Sequence, residues 1–325
     1  MSGSETAPKR CLVTGCAGNV GSKLTRALLD MGHAVVGVDN FFTGLPANLL
    51  PFKDHPHFRF VERSIAEPGL MASLSQGSGF FTSVFHLAAI VSVPWSMDHA
   101  EETMAVNYAA TLALHQEALE LGAGAFVFAG SAAEYGRPIS GPAREEQAGD
   151  PQSPYGWSKY LSSKHIEDSG FGCSLRFFNL YGPTLGKPGP YDGVVRRFLA
   201  MALAEAPLTV YGQGEQTRDF VFVRDAVSAV VAASGVANGG IGLRGVYNVG
   251  TGRSTSVLDL AKLTIDLAGV RCGVHRLPKR AGDIEHSLAD GGKLFAATGF
   301  RPATPLAEGL RHTLEWFRGH RCDLV

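Results

Sequence analysis

Tyr155 and Lys159 stand four residues apart in Pro154-Tyr155-Gly156-Trp157-Ser158-Lys159, a spacing that puts both side chains on one face of a helix. An ammonium beside a phenol favours the phenolate and draws the tyrosine pKa down, which makes a proton acceptor for an alcohol. A hydroxyl is available nearby. The apolar run Ala125-Phe126-Val127-Phe128 leads through Ala129-Gly130 to Ser131, so a strand here would carry Ser131 to the carboxyl edge of a sheet, where ligands of open α/β sheets bind.

A second constellation lies at the start of the chain. Thr14-Gly15-Cys16-Ala17-Gly18-Asn19-Val20-Gly21 follows the β-branched run Cys11–Thr14 and opens an amphipathic stretch, Val20–Met31. Glycines at 15, 18 and 21 let the turn close, let the backbone approach a pyrophosphate, and let helix and strand pack closely. The helix N-terminus, at Asn19 and Val20, then offers unsatisfied N–H groups to the anion. In a chain with 40 glycines such a triplet is weak evidence alone, but this one sits strand, turn, helix. Asp39 ends the next strand-like run, followed by Asn40. A carboxylate there binds the hydroxyls of an adenosine ribose and repels a 2′-phosphate, which points to NAD rather than NADP. His55 and His57 flank a proline in a polar loop with no carboxylate or thiol at ligand spacing, so no metal is expected.

These residues need a framework, and the first half of the chain repeats one rhythm of short apolar run, turn and helix. The expected strands are Cys11–Thr14, His33–Val38, Val84–Leu87, Ala125–Phe128 and 174–178, with a long helical pattern over Glu101–Leu121 and another from Tyr155 through Leu161 and Ile166. Such alternation implies a Rossmann-type, doubly wound parallel sheet covered on both faces, an α/β fold. After about Asn179 the alternation breaks into Gly- and Pro-rich loops, and Val246–Val249 reads as a late strand returning to the sheet. The expected organisation is an NAD-binding domain over 9–178, with 216–256 returning to it, and a smaller C-terminal substrate-binding domain from 179–215 and 257–325. Residues 1–8 read as a flexible tail.

Composition narrows the classes of function. In 325 residues, 29 Lys and Arg against 30 Asp and Glu leave a formal charge of -1, and 45% of positions are hydrophobic. No global field recruits nucleic acid or an acidic membrane, and no uncharged apolar run approaches the roughly 20 residues of a bilayer span. Five scattered cysteines, Cys11, Cys16, Cys173, Cys272 and Cys322, show no metal or disulfide spacing, as expected of a cytoplasmic protein with free thiols.

Nearly end to end, the chain resembles the extended short-chain dehydrogenase/reductases of the NAD-dependent sugar-nucleotide epimerase/dehydratase group. The motifs occur in order: the glycine turn; Asp39-Asn40 with Thr43-Gly44; His86-Leu87-Ala88-Ala89; Ser92-Val93-Pro94; Asn107; Ser131 with Tyr135-Gly136; Tyr155 and Lys159. Arg176-Phe177-Phe178-Asn179-Leu180-Tyr181-Gly182-Pro183, Gln216-Thr217-Arg218-Asp219-Phe220 and Gly282-Asp283 follow. The resemblance implies that Tyr155 is the acid/base on a sugar hydroxyl, that Lys159 holds the nicotinamide ribose, and that Ser131 completes the proton relay. It places Ser64, Ile65, Leu87, Ala88, Ala89, Asn107 and Phe178 along the cofactor. Ser64 stands where the family usually has an Asp contacting adenine. Ser92, Val93, Ala132, Ala133, Asn179, Val194, Val195, Tyr211, Gln213, Arg218, Arg280, Asp283 and Ser287 fall along the substrate, with Asn179 and Arg218 on its pyrophosphate. Two long helices from each subunit, 101–121 and the one bearing Tyr155, would form the four-helix interface of a homodimer. Met104, Tyr108, Thr111, Leu112, His115, Ala118 and Leu119 lie along its stripe.

All members of this group begin by oxidising a sugar to its 4-keto form. The 4,6-dehydratases carry an Asp-Glu pair directly after the Ser or Thr; here Ala132 and Ala133 stand there, leaving elimination without its acid and base unless Glu134 or a cysteine serves. The expected reaction is therefore 4-epimerisation of a UDP-sugar. Epimerisation or decarboxylation of a UDP-uronic acid is an alternative, with Lys187 as the candidate basic residue, and a non-catalytic NAD sensor a further one. Ser287, four residues after Asp283, falls at the family's gate beside the sugar C2 substituent. A small residue there implies that UDP-GlcNAc and UDP-GalNAc are admitted.

Overall fold

Every residue from Cys11 to Thr14 is buried, as required of a strand covered on both faces. Cys11 and Val13 face one core with Leu24 and Leu28, while Leu12 faces the other with Leu70 and Leu114. The computed structural model describes residues 8–76, 79–137, 139–186, 193–237, 239–279 and 284–320. In it, seven parallel strands form one sheet: β1 (Arg10–Thr14), β2 (Ala34–Asp39), β3 (Phe58–Glu62), β4 (Ser83–His86), β5 (Ala125–Ser131), β6 (Cys173–Phe177) and β11 (Gly245–Val249). Their order is β3-β2-β1-β4-β5-β6-β11. The chain reverses direction across the sheet between β1 and β4, which opens a crevice at their carboxyl ends.

The helices cover both faces. α1 (Asn19–Asp30) and α8 (Val223–Ser234) pack on one; α2 (Leu70–Ser75), α5 (Ala110–Glu120) and α6 (Pro154–Ser169) pack on the other. α3 (Val93–Asp98) follows β4. α4 (Ala100–Met104) runs into α5 through a single wide π-turn, Ala105–Ala109, so the expected helix over 101–121 is continuous but locally underwound. β3 is the strand that sequence periodicity passed over. It is an edge strand of partly exposed residues carrying Arg59 and Glu62, so its apolar signal is diluted.

Beyond β6 the backbone builds three two-stranded sheets. β7 (Asn179–Tyr181) pairs with β10 (Phe220–Phe222), β8 (Leu208–Tyr211) with β13 (Val274–Leu277), and β9 (Thr217–Arg218) with β12 (Thr255–Ser256). A third core, around Phe198, Leu260 and Leu314, joins α7 (Val194–Leu203), α9 (Val257–Ala268) and the last described helix, α10 (Leu306–Gly319). Of the seven residues expected along one interface stripe, Thr111, His115 and Ala118 are buried. His115 is drawn inward because its Nε2 lies 2.8 Å from the Phe171 carbonyl and its ring meets Phe126 edge-on. Met104, Tyr108 and Leu112 remain partly exposed and Leu119 is exposed.

Candidate active site

β5 ends at Ser131, and α6 begins with Ser153 capping the Gly156 N–H and Pro154 in its first turn. This geometry brings the partly buried Tyr155 phenol into a hydrogen bond with the Ser131 side chain. Lys159 lies one turn further along α6 and is buried; its Nζ donates to the Ala129 carbonyl at 2.8 Å and stands 4.6 Å from the centre of the Phe128 ring. The electrostatics differ from the sequence expectation. Burial pushes the Tyr155 phenol up, the Ser131 hydrogen bond pulls it down, and the nearby Glu134 charge pushes it up again, with a net rise. Burial also lowers Lys159 to about 8, against the raising field of Glu134. The ammonium thus spends its charge on β5 rather than on the phenol.

Glu134 finds its partner 42 positions along the chain. It is fully buried, and its carboxylate accepts the Ser131 N–H at 2.8 Å, the Ser163 hydroxyl at 3.0 Å and the Arg176 Nε at 2.5 Å. The Arg176 fork continues to the Glu145 carbonyl at 2.7 Å. A carboxylate held by three donors is a fixed part of the floor beneath Ser131, whereas Ala132 and Ala133 remain partly exposed beside it.

The glycine turn fits a dinucleotide. Gly15 has φ +73, and a Cβ on Gly21 would sit 2.0 Å from the Gly15 carbonyl oxygen, so neither position takes a larger residue. The first turn of α1 has no side-chain cap, which leaves its N–H groups for an anion. Asp39 is buried; its carboxylate accepts the Ala17 N–H at 2.9 Å and the Phe41 N–H at 2.8 Å. Those bonds hold it beside the turn with acceptor capacity left for a ribose diol. Ser64 and Ile65 follow β3, next to β2: the Arg63 N–H donates to the Asp39 carbonyl, Ser64 Oγ accepts the Ala66 N–H, and Ile65 is buried in the core. Leu87 and Ala88 are tied to Thr14 and carry the chain past the crevice to Ala89. Two expected cofactor residues turn inward. Asn107 braces Ile90 by bonds of 2.8 Å to its N–H and its carbonyl, and Phe178 packs in the core against Tyr135.

A cavity of about 220 Å³ joins Gly18, Asn19, Thr43 and Gly44 to Asn179, Val194 and Val195, so the glycine turn and part of the expected substrate site share one space. Ser92 caps α3, which presents Val93. Tyr211 ends β8 and Gln213 lies exposed in the turn that follows. Arg218 donates to the Ile284 carbonyl at 2.6 Å. A bridge pairs Thr217 with His286, whose side chains meet at 3.1 Å. The next residues, Arg218 and Ser287, therefore share the opposite face. Arg280, Asp283 and Lys187 lie outside the described residues. A larger cavity, about 520 Å³, is lined by the loop Gly250–Arg253 and by Arg301 and includes none of the expected site residues. Among the described residues no three His, Cys, Asp or Glu side chains gather as for a metal, and no helix is long and apolar enough to cross a membrane.

A Rossmann-type sheet with a glycine turn at its switch point and a Ser-Tyr-Lys group at the end of β5 defines an NAD-dependent short-chain dehydrogenase fold. Residues 11–250 match the NAD dependent epimerase/dehydratase family, and the chain belongs to that family, whose enzymes use NAD on nucleotide sugars. It is 35% identical over 317 residues to a UDP-glucose 4-epimerase of Mycolicibacterium smegmatis, covering 95% of this chain and 98% of that one. It is 32% identical to a UDP-N-acetyl-alpha-D-glucosaminuronate decarboxylase of Bacillus cytotoxicus, over 95% and 98% of the two chains. The structure of a UDP-N-acetylglucosamine 4-epimerase from Methanobrevibacter ruminantium, in complex with UDP-N-acetylmuramic acid, superposes with a TM-score of 0.89 at 30% identity, covering 97% of this chain and all of that one.

Proposed function

We propose that the protein is an NAD-dependent 4-epimerase of a UDP-sugar, taking UDP-GlcNAc/UDP-GalNAc and UDP-glucose/UDP-galactose through a transient 4-keto sugar. One observation carries this reading. The positions beside Ser131 that would need an acid and a base for elimination are Ala132 and Ala133, and Glu134 is locked beneath them on Arg176. With neither acid nor base at those positions to expel the C6 hydroxyl, the 4-keto sugar turns and takes its hydride back.

In this scheme Tyr155 removes the proton of the sugar 4-hydroxyl and returns it, with Ser131 bridging phenol and hydroxyl. Lys159 holds the nicotinamide ribose. When bound, NAD supplies the hydride acceptor at C4 and a positive ring charge that favours the Tyr155 phenolate. Asp39 takes the adenosine ribose and the α1 N-terminus takes the pyrophosphate. Asn179 and Arg218 hold the substrate diphosphate, the latter through its guanidinium fork, and the uracil lies against Val195 and Tyr211. The portions 179–215 and 257–325 form the substrate-binding domain. Ser287, on the Arg218 face, leaves room for an acetamido group at C2.

Purified protein mixed separately with UDP-GlcNAc, UDP-glucose and UDP-glucuronate, followed by proton NMR, tests the proposal. New axial-4-hydroxyl sugars from the first two are expected. Release of CO2 from UDP-glucuronate would instead favour the uronic-acid reading, which the Bacillus cytotoxicus relative also suggests. Replacing Ser287 by Tyr should block UDP-GlcNAc and spare UDP-glucose; equal rates on UDP-GlcNAc would move the C2 pocket elsewhere.

A further inference from the structure

β2 and β4 are the two neighbours of β1 in the sheet, and at about 4.8 Å per strand they run roughly 10 Å apart on either side of it. The loop leaving β2 carries Phe42, and α3, reached from β4, carries Trp95. These two rings meet edge to face, 5.7 Å between centroids at 77°. The contact spans the carboxyl end of β1, where the Gly15–Gly21 turn lies.

Both sides of the contact are braced. Phe41 is one of two described non-glycine residues with positive φ, at 56°; its N–H is held by the Asp39 carboxylate, and its ring packs on Phe60 at 5.2 Å. The Phe42 N–H donates to Asn40 Oδ1 at 3.1 Å. Two successive side-chain-to-backbone bonds therefore turn the loop away from the line of β2 and aim Phe42 back toward β4. On the other side Trp95 stacks on His99, 4.0 Å between centroids at 14°. The Trp95 N–H is capped by Ser92 at 3.1 Å, and Ser96 Oγ accepts the Tyr155 N–H at 3.2 Å. The Trp95 platform is thus fastened to the catalytic helix. Phe42 remains 39% exposed, an arrangement better suited to a closure over a ligand than to a core contact.

We propose that Phe42 and Trp95 form a clasp across the cofactor groove that retains NAD between turnovers. The inference rests on the placement of NAD over the glycine turn and Asp39. An epimerase regenerates its NAD in every cycle and gains nothing from releasing it, so a contact that must open before the dinucleotide leaves serves the reaction without touching the sugar. An aromatic pair of this kind is worth up to about a tenfold change in a rate or equilibrium.

The test measures bound NAD per chain during prolonged dialysis of the holoenzyme, for wild type, Phe42→Ala, Trp95→Ala, the double variant, Trp95→Phe and Asp39→Ala. The clasp predicts that each alanine variant loses NAD about tenfold faster than wild type. The double variant should lose it no faster than either single, and Trp95→Phe should retain it. Added NAD should restore turnover in the clasp variants. Clasp variants that hold NAD as wild type does, while Asp39→Ala releases it, would overturn the clasp and leave the cofactor site standing. Retention by Asp39→Ala as well would overturn the placement of NAD, and the clasp with it. Wild type that loses NAD as fast as the alanine variants would also overturn the clasp.

Discussion

At the scale of single residues, the site is a matter of where charge is spent. Burial holds the Tyr155 phenol above its ordinary pKa, while Lys159 bonds to the Ala129 carbonyl and sits over Phe128. Tyr155→Phe should therefore abolish nearly all turnover yet keep NAD, because the ring stays and only the hydroxyl goes; more than a tenth of the parental rate would remove the phenol from the chemistry. Lys159 titrates at about 8 in the folded protein, against 10.5 when unperturbed. Between those values the unfolded chain binds more protons, so the cost of burying the ammonium is fully present below pH 8 and fades as pH rises toward 10.5. Lys159→Met should thus gain stability relative to wild type most at pH 7 and least at pH 10, by denaturant unfolding. A difference that does not vary with pH would show that the amine titrates normally. Tyr155, Lys159 and Asp39 were legible in sequence because their chemistry depends on short spacings. The Glu134–Arg176 pair was not, since only the pairing of β5 with β6 brings 134 and 176 together.

At the scale of elements, turns and strand ends place the chemistry. Gly21→Ala would drive a methyl into the Gly15 carbonyl at 2.0 Å, forcing α1 off the end of β1. The expected outcome is protein purified with little or no NAD and a lowered melting temperature; a variant loaded like wild type would show the turn to be more yielding than its geometry. Six of the seven sheet strands follow from apolar runs buried on both faces, a signal that periodicity carries. β3 escaped because an edge strand buries only part of its surface. Asn107, in the π-turn, which the resemblance sets along the cofactor, bonds through its amide to Ile90, a contact that no short spacing announces. The Phe42–Trp95 contact joins the loop after β2 to α3 through the sheet order, which no local window contains.

At the scale of the whole molecule, α5 and α6 leave Leu119 and Trp157 exposed, consistent with the proposed homodimer through these helices, though three of the seven residues of the expected stripe turn inward. Light scattering at micromolar concentration should return a dimer mass, and Trp157→Glu should shift it toward the monomer; a wild-type monomer would refute the assembly. The central claim is that the hydride returns to the carbon it left. It is tested most directly with UDP-GlcNAc or UDP-glucose deuterated at C4, following the label by NMR and the product by mass. The account predicts both C4 epimers at unchanged mass with deuterium still on C4. Loss of water with the label moved to C6, or sugar recovered without inversion, would contradict it.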